Sequence, residues 1–166
     1  MIGINRDDFR EIFDRYYEPV RNFIYYKAGN MQVAEDIAQD AFFRIWEKRE
    51  GIRKETVKAL LYRTAGNLFL NWVQHRNVVL KFSSAERPEV LNESPEFEME
   101  MKEFDRKLQD AINSLDEKKR VVFLMNRIDK LTYREIAENQ GITVKAVEKR
   151  MEKALDQLRK YIDHRI

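Results

Sequence analysis

The sequence predicts an all-α protein: two small helical domains joined by a flexible linker, the C-terminal one containing a helix-turn-helix. Three observations predict it. Gly and Pro are scarce, five and three in 166 residues, while Leu, Glu, Lys and Arg abound, which favours helix over strand and turn. Apolar residues recur at three- and four-residue steps through most of the chain, the period of a half-buried helix. That period lapses over residues 81–98, KFSSAERPEVLNESPEFE, which hold two of the three prolines, three serines and two basic against five acidic side chains. Such a composition reads as a polar tether. The expected division is therefore 1–80, a linker at 81–98, and 99–166. A charged fraction of 36% against 43% hydrophobic suits small, surface-rich modules.

Taken in order, Asn5 is a plausible cap for a first helix whose stripe is Phe9, Ile12, Phe13, Tyr16, Val20, Phe23 and Ile24. Pro19 lacks an amide proton and is expected to bend or break that helix near Tyr17. Ala28-Gly29-Asn30 is its stop signal. In a second helix, Gln32 to Lys48, residues Ala34, Ile37, Ala38, Ala41 and Ile45 share the inward side. Asp36, Gln39, Asp40 and Phe43 lie on the other side with Trp46 at its margin. An outward Phe43 among acidic and amide groups fits either a partner surface or a site covered by another helix or the linker.

A basic loop, Lys48 to Lys54, leads to a third helix, Thr56 to Arg76, with an inner stripe of Val57, Leu61, Ala65, Leu68 and Trp72. Arg63, Asn67 and Gln74 line up opposite, with Tyr62, Phe69 and Val73 beside them. Arginine, amides and aromatics on one face can stack on and hydrogen-bond unpaired bases. An ordinary surface with packing aromatics is the reading that these residues alone favour.

Past the tether, Phe97, Met101, Phe104, Leu108 and Ile112 mark a helix. Asp116 or Ser114 is placed to cap the next, through Val121, Val122, Leu124 and Met125. Lys118, Lys119 and Arg120 fall in its first turn, where the helix dipole disfavours cations. They fit an acidic contact or a solvated face. Thr132 and Glu135 then form a capping box, Gly141 supplies a left-handed stop, and Thr143 caps a last helix with Val147, Met151, Leu155 and Leu158 inward. This is helix-turn-helix spacing. Its outward Lys145, Lys149, Arg150 and Lys153 suit phosphates and base edges. A solvated helical hairpin shows the same pattern.

Function classes narrow accordingly. With no cysteine there is neither a disulfide framework nor a zinc-thiolate site. Glu35, Asp36 and Asp40 cannot all converge, no Glu-x-x-His pair exists, and His75 and His164 fall in different modules. No catalytic residue, metal or cofactor is expected. No apolar run approaches membrane-spanning length, so a cytoplasmic protein without membrane insertion is expected. A dimeric helix-turn-helix regulator would explain residues 131–160 but leave the Asp36–Trp46 and Arg63–Asn67 faces idle.

The layout resembles an extracytoplasmic-function sigma factor of the bacterial sigma-70 family along essentially the whole chain. Ala34-Glu35-Asp36-Ile37-Ala38-Gln39-Asp40-Ala41-Phe42 with Trp46 is similar to the family's segment for the polymerase clamp helices. Leu61-Tyr62-Arg63-Thr64-Ala65-Gly66-Asn67 resembles its -10 segment. Leu131-Thr132-Tyr133-Arg134-Glu135-Ile136-Ala137 followed by Val144-Lys145 resembles its -35 segment. The resemblance implies a factor that directs core RNA polymerase to promoters and assists -10 melting, and that is not an enzyme. It assigns polymerase binding to Asp36, Gln39, Asp40, Phe43 and Trp46. To the single-stranded -10 element it assigns Arg49, Arg53, Lys54, Lys58, Tyr62, Arg63, Asn67 and Arg76. To duplex -35 DNA it assigns Thr132, Tyr133, Lys145, Ala146, Lys149, Arg150 and Lys153. It also implies a separate anti-sigma factor as regulator. Val147-Glu148-Lys149-Arg150-Met151 departs from the family's last-helix pattern, and the loop from Arg49 to Glu55 from its usual form. Base preferences therefore do not transfer.

Overall fold

The computed structural model describes residues 2–76 and 106–165. Seven α-helices and no strand occur among them: α1 (Arg6–Ala28), α2 (Met31–Glu47), α3 (Val57–Arg76), α4 (106–114), α5 (Glu117–Arg127), α6 (Tyr133–Gln140) and α7 (Val144–Arg165). The tether expected at 81–98, and Phe97, Met101 and Phe104, lie outside the described residues.

Local chemistry sets the helix ends. Asn5 accepts from the Asp8 amide at 2.8 Å while the Asp8 carboxylate accepts from the Asn5 amide, a closed capping box. Gly29, at φ 69°, ends α1, and Asn30 caps α2 through the Val33 amide. Pro19 neither breaks nor ends α1, which runs 23 residues as one helix. No break occurs because Val20, Phe23 and Ile24, just past the proline, are buried in a helix that packs on α2 and α3. That packing offsets the roughly 3 kcal/mol a mid-helix proline costs.

The α1–α2–α3 core contains the anticipated Ala34, Ile37, Ala38, Ala41, Ile45, Val57, Leu61 and Ala65, and also Phe42, Tyr62 and Phe69. Leu68 and Trp72 are only half-buried. The second core gathers Ala111, Leu115, Val121, Val122, Leu124, Met125, Ile136, Val147, Met151 and Ala154. Asp116, rather than Ser114, caps α5 by accepting from the Lys119 amide, while the Ser114 hydroxyl donates to the Ala111 carbonyl. Thr132 and Glu135 close their box, Gly141 sits at φ 66°, and the Thr143 hydroxyl caps α7 through the Ala146 amide.

The two cores meet where α5 and α6 rest on α1 and α3. Arg120 is 5% exposed. Its guanidinium donates to the carbonyls of Tyr26 (2.8 Å), Lys27 (3.1 Å) and Leu115 (3.3 Å). A cation there meets the negative end of the α1 dipole. Of that first turn, Arg120 is thus neither solvated nor turned to an acidic partner: it seats on the carboxyl end of another helix. Beside it Lys27 pairs with Glu117 at 2.8 Å, and Asp129 accepts from the Tyr26 hydroxyl (2.6 Å) and the Asn22 amide (3.3 Å).

Candidate nucleic-acid interface

On α2 the residues expected to meet polymerase divide into two groups. Asp36, Gln39, Asp40 and Phe43 are exposed, Phe43 at 58%. Asp36 accepts from Gln32 at 3.0 Å and Asp40 pairs with Arg44 at 3.4 Å, each one turn away along the helix. Trp46 is half-buried: Phe9 meets its ring edge-on at 4.9 Å and the Arg49 guanidinium lies 3.9 Å above it. It supports the loop as much as it faces outward. Phe9, Phe13, Tyr17 and Phe42 extend this into a run of ring contacts 4.9–6.3 Å apart along α1.

The loop after α2 is two 3₁₀ turns, Arg49–Gly51 and Lys54–Thr56. Arg53 is exposed. Arg49, expected to reach for DNA, is folded back: besides stacking on Trp46 it donates to the Trp46 carbonyl at 2.9 Å. Lys54 forms an ion pair with Asp8 at 2.5 Å. That contact raises the Lys54 pKa and, with the Asn5 amide, holds the Asp8 carboxyl below the usual range.

Along α3, Arg63 and Asn67 are exposed on one side. Tyr62, expected among the base-facing residues, is 3% exposed and meets Phe23 edge-on at 5.3 Å. Burial and nearby Asp129 push its phenol pKa up. It is a core residue, because the α1 and α6 sides of α3 are both covered. Lys58 is half-buried and lies near Glu135 of α6, whose carboxyl is held low mainly by its bonds with Thr132 and further by that charge. Arg76 closes α3, its side chain outside the described part. A cavity of about 240 Å³ opens between α2, the loop and α3, with Arg44, Lys48, Thr64, Asn67 and Asn71 among its lining groups. Asn71 escaped the sequence reading, and Lys48 was read only as the start of the basic loop, yet Asn71 follows Asn67 by one helical turn, a readable signal.

In the second core α7 turns Lys145, Lys149 and Lys153 to solvent, with Ala146 and Arg150 half-buried at the edge of the same face. Thr132 is exposed, though its hydroxyl is engaged by the Glu135 amide at 3.2 Å, and Tyr133 packs half-buried on the core. Among the described residues no group of His, Cys, Asp or Glu is arranged to hold a metal, and no helix is long and apolar enough to cross a membrane.

Comparison with known proteins places both cores. Residues 12–78 match the family model "Sigma-70 region 2" and residues 105–158 match "Sigma-70, region 4". The RNA polymerase sigma factor YlaC of Bacillus subtilis is 24% identical over 94% of this chain and 92% of its own. The ECF RNA polymerase sigma factor SigW of the same organism is 28% identical over 95% and 90%. In fold, the chain is similar to the sigma factor RpoE of Bartonella quintana, solved with the anti-sigma factor NepR: TM-score 0.66 at 19% identity, over 96% of this chain and 99% of that one. Two family matches in order, one on each helical core, show that the chain belongs to the sigma-70 family, in its extracytoplasmic-function group, whose members direct RNA polymerase to promoters.

Proposed function

We propose that this factor divides promoter recognition between its two cores, within boundaries of 1–80, a tether at 81–98, and 99–166. The exposed α2 face (Asp36, Gln39, Asp40 and Phe43, with Trp46 at its edge) docks on core RNA polymerase, the aromatic as anchor and the polar groups fixing register. The outer face of α7, Lys145, Lys149 and Lys153 with Ala146 and Arg150, enters the major groove of the -35 duplex next to Thr132 and Tyr133. The 49–54 loop and the Arg63–Asn67 side of α3 hold an unpaired base of the -10 element. Opening DNA without a nucleotide cofactor needs preferential capture of single strand, and each stacked base contributes about 1–3 kcal/mol. The protein does no covalent chemistry of its own, acts in the cytoplasm where polymerase works, and is held in check by a separate anti-sigma protein.

The observation that supports this reading most is the exposed Asn67, which lines, with Asn71 and Lys48, a cavity that Ile52 of the loop also borders. Amide and ammonium groups there can satisfy the edge of a base with no partner strand. The test is Asn67→Ala with core polymerase, after recovery of active promoters by transcription of a genomic library. Promoter opening, read by permanganate reactivity of -10 thymines, falls while association with polymerase stays near normal. Equal loss of both assigns Asn67 to polymerase binding or to stability instead.

A further inference from the structure

The 49–54 loop has little structure of its own, only two single 3₁₀ turns, a geometry with poor hydrogen bonds and short persistence. Something outside it must fix its shape, and the stretch from Gly3 to Asp8 does so at four points. The Gly3 amide donates to the Ile52 carbonyl at 2.9 Å, and the Ile4 amide donates to the Arg49 carbonyl at 3.0 Å. Ile4 and Ile52 are buried, at 4% and 6%. Asp8 holds Lys54 by the 2.5 Å ion pair. Gly3 adopts φ +114°, and a side chain there would start 3.4 Å from the Glu50 carbonyl oxygen. Only glycine takes that backbone angle cheaply, and it lets the two segments run side by side. Asn5 and Asp8 in turn are locked to α1 by the capping box. The loop is therefore referenced to the first turn of α1 as well as to Trp46 at the end of α2.

We propose that residues 3–8 form a strap that positions the 49–54 loop, so that Gly3, Ile4 and Asp8 set selectivity for the -10 sequence without touching DNA. Arg53, exposed midway between the strapped Ile52 and Lys54, is the side chain whose aim depends on it most. The inference rests on the reading, proposed above, that this loop meets the -10 element.

The experiment uses the full chain assembled with core RNA polymerase, on a promoter recovered from the genomic library and a panel carrying single -10 substitutions. Gly3→Pro removes the amide donor and the permitted backbone angle outside any helix, and Asp8→Asn removes the ion pair while keeping the shape. Each is expected to compress the spread of opening rates across the panel by about three- to tenfold, the scale of one lost polar contact. Polymerase affinity and melting temperature should stay near wild type, and Asp8→Glu should restore the spread. Arg53→Ala and Asn67→Ala run alongside. Should those two reshape the -10 preference while the strap variants keep the wild-type order and spread, the strap is rejected and the loop reading stands. A uniform loss of opening in the strap variants, with the preference intact, rejects it equally. If none of the four variants alters preference, the loop does not read the -10 element and the strap falls with it.

Discussion

Phe42 and Phe43 are neighbours in the chain and opposites in exposure, 2% against 58%. Phe42 contacts Phe9, Phe13 and Tyr17, so Phe42→Ala is expected to cost about 3–5 kcal/mol of stability, visible as a lower denaturant midpoint. Phe43→Ala leaves that midpoint near wild type and weakens polymerase binding in a pull-down; a large fall in melting temperature would place Phe43 in the core. The exposed face of α2 was legible because Asp36, Gln39, Asp40 and Phe43 cluster within 100°-per-residue projection. Phe42 and Tyr62 were not so placed, since each lies at a stripe margin where neighbouring helices decide the side. For Arg120 the local signal, a cation in a helix's first turn, names no partner: two of the carbonyls it serves, Tyr26 and Lys27, are 94 and 93 residues away.

Helix ends could be read almost to the residue, because caps are local chemistry: Asn5, Asp116, Thr132, Thr143, Gly29 and Gly141 all act where the sequence places them. Pro19 does not break α1, since intrinsic propensity is a weak prior against tertiary packing. The α6–α7 unit offers two tests. Gly141→Ala meets open space but keeps φ at 66°, so backbone strain alone should cost about 1–2 kcal/mol, measured by chemical denaturation. Lys149→Ala, on the exposed face of α7, should weaken binding to a -35 duplex and make the log–log salt slope shallower by about one unit. Unchanged affinity would remove it from the DNA face.

At the level of the whole molecule, the contact between the cores contains a carboxyl that titrates. Burial pushes the Asp129 pKa up, Glu18 adds to that, and the donors Tyr26 and Asn22 only partly offset it. Tyr62 and Arg21 are the other titratable neighbours through Tyr26 and α3. A carboxyl whose pKa is raised by docking binds its proton more tightly in the docked form. Docking is therefore strongest below the ordinary carboxylate range and weakens as pH rises through the raised value. With no native cysteine, dyes on Glu47→Cys and Arg159→Cys report the separation directly. Energy transfer should fall as pH rises through that range and become flat with Asp129→Asn. A flat wild-type profile would show that Asp129 does not govern the contact.

The seat of Arg120 on the last turn of α1 has one more effect. The Tyr26 and Lys27 carbonyls at that helix end are served from the other core, and the Gly29 amide that closes the turn bonds to the carbonyl of Tyr25, next to Tyr26 in the chain. Any binder that pries the cores apart strips this end of its guanidinium, and the turn frays. Deuterium uptake at Gly29 thus becomes a gauge of whether the protein is shut or spread, readable without a label and with any partner present.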